Sequence, residues 1–330
     1  ASDNVAIGYA ALNANTTGSL NVAVGSLAGD AITTGAAHTL IGYNAGSAIT
    51  TADAITAVGK DALEANTSGQ NVAFGANALA TVTTGTQNTA IGHDGLTVNT
   101  GNNNTSVGYQ ALAANTTGIQ NVAVGALSLD ANTTGERNVA VGVGSLGSNT
   151  EGIRNTAVGD GAAATNTTGI QLTALGRLAL NSNTTGSSNT ALGEYALAVN
   201  TTASNNVAVG NSALGANTTG GSNTAFGYNA GNNITTGSQN VCIGNGPNPS
   251  AADSQEQIVI GTTTTPGAGD NTVRFGTDTG TVYIALDNST TSWTKSSDER
   301  LKENIETSTA GLSFINDLRP VIFDWKKKKD

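Results

Sequence analysis

The chain has 330 residues, a formal net charge of −10 and a pI near 4.5, a balance that argues against a nucleic-acid-binding surface. Only 11% of residues are charged and Cys242 is the single cysteine, which excludes an intrachain disulfide framework and leaves the redox compartment open. No apolar run approaches the roughly 18 residues that would span a bilayer, and no signal peptide is visible at Ala1, so no membrane insertion is expected.

From the first residues onward the chain is a repeat. Sixteen glycines, from Gly8, Gly25 and Gly42 through to Gly244 and Gly261, follow one another in steps of 17 residues, two steps being 16. A typical unit reads Asn121-Val122-Ala123-Val124-Gly125, then an Ala/Leu stretch, then Asn132-Thr133-Thr134-Gly135. Because the chain opens inside such a unit, at Asn4-Val5-Ala6-Ile7-Gly8, the expectation is a fragment or a processed product. Each unit is too short for a helix pair and holds only one or two short β-compatible segments. The spacing therefore predicts an all-β parallel solenoid or β-roll of about 16 coils. Neighbouring coils would hydrogen-bond along the axis at about 4.8 Å per coil, giving a rod of roughly 70 Å. The Asn-Thr-Thr-Gly string supplies the corner, its glycine expected at positive φ.

Rows of residues at fixed distance from the anchor glycine predict the packing. Val or Thr three before it and Ile, Val, Leu or Phe one before it (Val5/Ile7, Val72/Phe74, Thr190/Leu192) share one strand face, expected to point inward. Four after the glycine ten units carry Leu, and seven after it ten carry Asn. Where the Leu position becomes glycine the Asn position becomes isoleucine: Gly29 with Ile32, Gly46 with Ile49, Gly231 with Ile234. This is volume exchange between interior neighbours. The ordinary units should stack an Asn ladder near the corner. Two before the glycine, Ala stands in 12 of 16 units and no unit has a charge. A small apolar row of that length is expected to press against another backbone, which points to a homo-oligomer, a trimer by first expectation.

These Asn-x-Ala-Ile/Val-Gly units, over residues 4–261, resemble the repeats of trimeric bacteriophage tail fibres and, more loosely, the heads of trimeric autotransporter adhesins. The resemblance implies a homotrimeric parallel β-helix or β-roll.

After Gly261 the register lapses. Residues 262–296, with the runs Asn271–Gly276 and Thr281–Leu286, are expected to form a β neck or cap. From Ser297 to Asp330 the composition changes, 14 of 34 residues being charged. Ser296-Ser297-Asp298-Glu299 reads as a capping box opening a small helix with Leu301 and Ile305 on one face, Leu312, Ile315 and Leu318 as a second helical turn stopped by Pro320, and Val321–Trp325 as a strand. The string Ser297-Asp298-Glu299-Arg300-Leu301-Lys302-Glu303-Asn304-Ile305, with Leu318-Arg319-Pro320 and Phe323-Asp324-Trp325, resembles the start of the intramolecular chaperone of endosialidases and phage tail spikes. That family directs trimer assembly and then cuts itself off. The resemblance implies Ser297 as nucleophile, Lys302 as its base, and Ser296–Ser297 as the scissile bond. The family's domain continues well past the point where this chain stops, so residues 297–330 are expected to be a truncated start of it. A desolvated lysine can serve a serine in this way.

No other catalytic constellation is present. Asn15, Asn66, Asn115 and Asn132 match glycosylation sequons but belong to the corner repeat. Tyr9, Tyr43, Tyr109, Tyr228 and His93 follow the anchor glycine at a position that also takes Lys60, Asp160, Arg177 and Glu194, so this row should face solvent. His38 and His93 lack partners at metal-ligand spacing, and neither metal nor cofactor is expected. The expected role is the structural shaft of a tail fibre on the virion, outside the cell. Its partners would be copies of itself, other tail proteins and a host-cell receptor such as a polysaccharide. A bacterial surface adhesin is the alternative and an ice-binding solenoid a distant third. The only enzymatic activity expected is self-cleavage by a serine–lysine endopeptidase.

Overall fold

The computed structural model describes residues 1–263, 266–277 and 279–285. Each repeat contributes a three-residue strand immediately before its anchor glycine, from β1 (Val5–Ile7) to β14 (Thr224–Phe226). The strands β15 (Val241–Asn245) and β16 (Ile258–Thr262) run two residues longer. Successive strands pair in parallel with every position opposite its equivalent one coil on, as in Thr156↔Thr173, Ala157↔Ala174 and Val158↔Leu175. β17 (Thr272–Thr277) adds one more parallel strand, and β18 (Gly280–Ala285) turns back antiparallel to it. Hydrogen bonds run along the axis on the turn side too, for example Leu129 N–H to Ser145 C=O at 3.0 Å and Thr133 N–H to Thr150 C=O at 3.0 Å. The chain is thus an all-β parallel solenoid of about 16 coils, with no helix among the described residues.

Glycine is obligatory at the anchor for two reasons. Gly142 has φ 133°, and a Cβ there would run into the carbonyl group of Gly159 on the next coil. The corner glycines differ from expectation: Gly135 is not at positive φ. It is glycine because a side chain would collide with the Asn132 Oδ1 and the Gly152 carbonyl oxygen. Left-handed backbone falls instead on other rows, at forty non-glycine residues among those described, including most of the interior leucines (Leu146 φ 50°, Leu197 φ 51°). Such a conformation costs roughly 1–2 kcal/mol per residue, so it persists here only because coil-to-coil hydrogen bonding and packing outweigh it. Gly29, Gly46 and Gly231 take the same conformation (φ 58–63°) on the Leu row.

The two faces of the strand are the reverse of the expected ones. The Ala row is the interior: Ala123, Ala140, Ala174 and Ala191 are fully buried within their own coil. The flanking Val/Thr and Ile/Val/Leu/Phe rows point outward, as Val5, Ile7, Val72 and Phe74 show. The cause is the width of the coil. The inward leucines, such as Leu180 and Leu197, and the alanines one residue before them, Ala179 and Ala196, already fill the space facing the strand, so only a small side chain fits at its centre. An alanine seam between sister chains is therefore excluded. The volume exchange is real and includes this row. Leu40, a rare large residue on it, fills the room left by both Gly29 and Gly46, each of whose absent Cβ would lie within 3 Å of a Leu40 methyl. Ile32 and Ile49 fill the rest, their Cδ1 atoms 2.8 and 2.7 Å from those same Cβ positions.

Asparagine ladders line the remaining interior. The expected one is present: Asn132 Nδ2 donates to Asn115 Oδ1 at 2.7 Å, Asn149 to Asn132 at 2.8 Å, and Asn166 to Asn149 at 2.8 Å. A second ladder stands four residues before each anchor. There Asn138 donates its backbone N–H to Asn121 Oδ1 at 3.0 Å and its side-chain amide to the Gly152 carbonyl at 2.8 Å. Buried amides are tolerable only when satisfied in this way.

Candidate functional site

With Ala, Leu and Asn turned inward, the outer strand face carries two uncharged columns: Val, Ile or Thr three residues before each anchor, half of them Thr, and Ile, Val, Leu or Phe one residue before it. Ile7 is 60% exposed, Phe74 56%, Leu175 47% and Phe226 56%. Neither column has a charged residue in any of the sixteen coils. Charges do occur elsewhere on the outside, at Asp30, Glu64, Asp130, Glu136, Arg137 and Arg154.

Beside these columns, just after the anchor, Tyr9, Tyr43, Tyr109 and Tyr228 are exposed, as expected. Neighbouring coils bring members of this row together. The His93 ring stacks on Tyr109 at 5.9 Å, while its Nδ1 lies 2.9 Å from Asp94. Arg177 sits over the Tyr195 ring at 5.5 Å and pairs with Glu194 at 3.1 Å, and these two partners hold its pKa above the ordinary value.

Other sequence candidates resolve into structure. Asn66, Asn115 and Asn132 are buried, so those sequons present no acceptor amide at the surface. The threonines after the inner Asn row give their hydroxyls to the next coil (Thr116 Oγ1 to Thr133 C=O, 2.9 Å; Thr133 Oγ1 to Thr150 C=O, 3.1 Å). His38 is buried and takes the place of an asparagine in the second ladder: its Nδ1 accepts the Ile55 N–H at 3.2 Å, and burial lowers its pKa. No cluster of His, Cys, Asp and Glu that could hold a metal occurs among the described residues. Burial pushes the Cys242 thiol up to about 12, so it is unreactive. Two open recesses, of about 400 Å³ at Ser250–Gln255 with Asp270 and about 350 Å³ at Thr51–Asp53 with Gln70, bring no reactive set together.

Ser296, Ser297 and Lys302 lie outside the described residues. The sequence reading missed the second ladder, although Asn holds that position in 12 of 16 units, as strong a signal as the Ala row.

Residues 297–330 match the family model described as chaperone of endosialidase. No curated protein and no solved structure matches the chain. The terminal match and the solenoid together fit a structural protein of the tail-fibre or endosialidase type.

Proposed function

We propose that the chain is the shaft of a homotrimeric phage tail fibre that attaches the virion to a host cell. Residues 297–330 would be the opening of a self-cleaving assembly chaperone. The observation that carries this reading is the succession, in one chain, of a sixteen-coil solenoid and a chaperone-of-endosialidase match. A stack held by axial hydrogen bonds and nearest-neighbour packing is stiff and gains stability coil by coil, which suits a spacer under load. The exposed tyrosines and the aromatic pairs on the row after the anchor suit a polysaccharide receptor.

In the cleavage step the Ser297 hydroxyl attacks the carbonyl carbon of Ser296 while a neutral Lys302 takes its proton. The C–N bond breaks, the Ser297 nitrogen leaves as an amine carrying that proton, and the acyl group rests on the serine oxygen as an ester. Water then hydrolyses the ester, leaving one chain ending at Ser296 and another beginning at Ser297. Intact-mass spectrometry of the full chain tests this. Fragments 1–296 and 297–330 are expected, and both Ser297→Ala and Lys302→Ala should abolish them. An uncut wild type overturns the cleavage. Negative-stain images of the same sample should show rods; round particles overturn the fibre.

A further inference from the structure

We infer that the outer strand face, with its Val/Thr and Ile/Val/Leu/Phe columns, is the surface on which a second copy of this chain lies. The inference rests on the fibre reading above and names the contact surface that reading leaves open. Three observations carry it.

The first is charge. Across sixteen coils both columns are free of Asp, Glu, Lys and Arg, although the outward rows on either side carry Arg137, Arg154, Lys60, Asp160 and Glu194. A parallel sheet left open on one apolar face is unusual, because such sheets are ordinarily covered on both sides. The second is area. Strand spacing of about 4.8 Å over the stack gives a face roughly 70 Å long. The two columns, with the alanine position between them, cover three residues or about 10 Å, so each copy offers roughly 700 Å². Two copies would bury about 1,400 Å² in total, within the roughly 1,200–2,000 Å² of a specific interface. The third is repeat. A partner must present apolar groups at the same axial step for the whole length, and this chain presents such a surface itself. In-register stacking of equivalent residues (Val122↔Val139, Val124↔Val141) keeps the columns straight enough to meet a copy of themselves.

The test compares the full chain with the triple variant Phe74→Glu, Leu175→Glu, Phe226→Glu, each at an exposed position, so that the coil interior is untouched. The control puts three glutamates on the turn segment, at Val98→Glu, Ser182→Glu and Val199→Glu. With Ser297→Ala in every chain so that none is cut, light scattering should give the unaltered face and the control a multiple of 32.6 kDa and the face variant 32.6 kDa, all with the same β-sheet circular dichroism. If the face variant loses its circular dichroism, the milder Phe74→Ser, Leu175→Ser, Phe226→Ser decides. It should keep the β signal and dissociate on dilution at least tenfold more readily than wild type. An oligomer that survives both variants overturns the surface but leaves the fibre standing. A wild type of 32.6 kDa at all concentrations overturns the surface and the trimer together, while rods and cleavage are read separately.

Discussion

The coils between Gly25 and Gly92 and those between Gly92 and Gly227 share one backbone plan but fill it differently. In the second stretch eight asparagines, Asn99 to Asn217, pass a side-chain hydrogen bond from coil to coil at 2.6–3.0 Å without interruption. In the first, Ile32, Ile49 and Val82 occupy the same row, and Asn66 between them has a buried Oδ1 with no partner. The second ladder falters there at His38 and Ile55, and once in the regular stretch, at Leu172. A satisfied amide column and an apolar plug are thus interchangeable fillings of one volume, provided each is complete along the axis. Leu40, Ile32 and Ile49 with two glycines make such a plug; Asn66 is neither.

The comparison can be broken at several depths. Gly142→Ala in the regular stretch and Gly42→Ala in the irregular one should be equally damaging, since each new Cβ meets the next coil's carbonyl. A loss of about 4 kcal/mol or more is expected, read as collapse of local amide-exchange protection. Leu40→Ala should cost about 3–5 kcal/mol, because one side chain fills space beside both Gly29 and Gly46 and its loss leaves a cavity. Asn149→Ala should cost roughly 2–3 kcal/mol by stranding Asn132 Oδ1 and the Asn166 amide, whereas Asn66→Ala should cost about 1 kcal/mol or less. Coil-resolved exchange protection of the two variants checks that ratio, and equal losses would sink it.

The smallest effect is a pH dependence confined to the irregular stretch. His38 Nδ1 must be unprotonated to accept the Ile55 N–H. Burial depresses the folded pKa below 6.5, against smaller opposing pulls from the Ala52 carbonyl and the Asp53 carboxylate. The unfolded ring therefore takes up its proton first as pH falls. The local stability is full above about 6.5 and is lost as pH drops below that through the folded value. Protection of the Ile55 amide, measured against its intrinsic exchange rate, should fall between pH 7 and 5 more than that of Asn155, whose acceptor is Asn138 Oδ1. His38→Asn should remove the difference.

Much of this was legible in the residues. The period, the Asn ladder and the Leu-for-Ile exchange read out directly, because each is a spacing, whereas the sequence left one or two strands per unit open and the structure has one. The inward face of the strand did not. Alternation divides a strand into two faces without saying which is inside, and the larger branched residues were the natural choice for a core. Coil width decided otherwise, and exceptions on the Ala row carried the clue. Leu40 accompanies Gly29 and Gly46, Ser106 faces Gly95 at 2.9 Å from its missing Cβ, and Cys242 lies 3.6 Å from that of Gly231. Three of the four non-alanine residues on that row, all but Val259, are matched by a glycine across the coil, as an interior row requires. Ser297 and Lys302 were legible as a motif, their roles implied by the resemblance rather than by any spacing on one helix.

The central claim, that alanine faces inward and valine outward towards a neighbouring copy, is tested most directly by one pair of cysteine variants in the full chain. Ala140→Cys and Val141→Cys would each be treated with a short bis-maleimide and run on a denaturing gel, the buried Cys242 remaining silent. Cross-linked species are expected from Val141→Cys and none from Ala140→Cys. Cross-linking through position 140 with none through 141 would contradict the account.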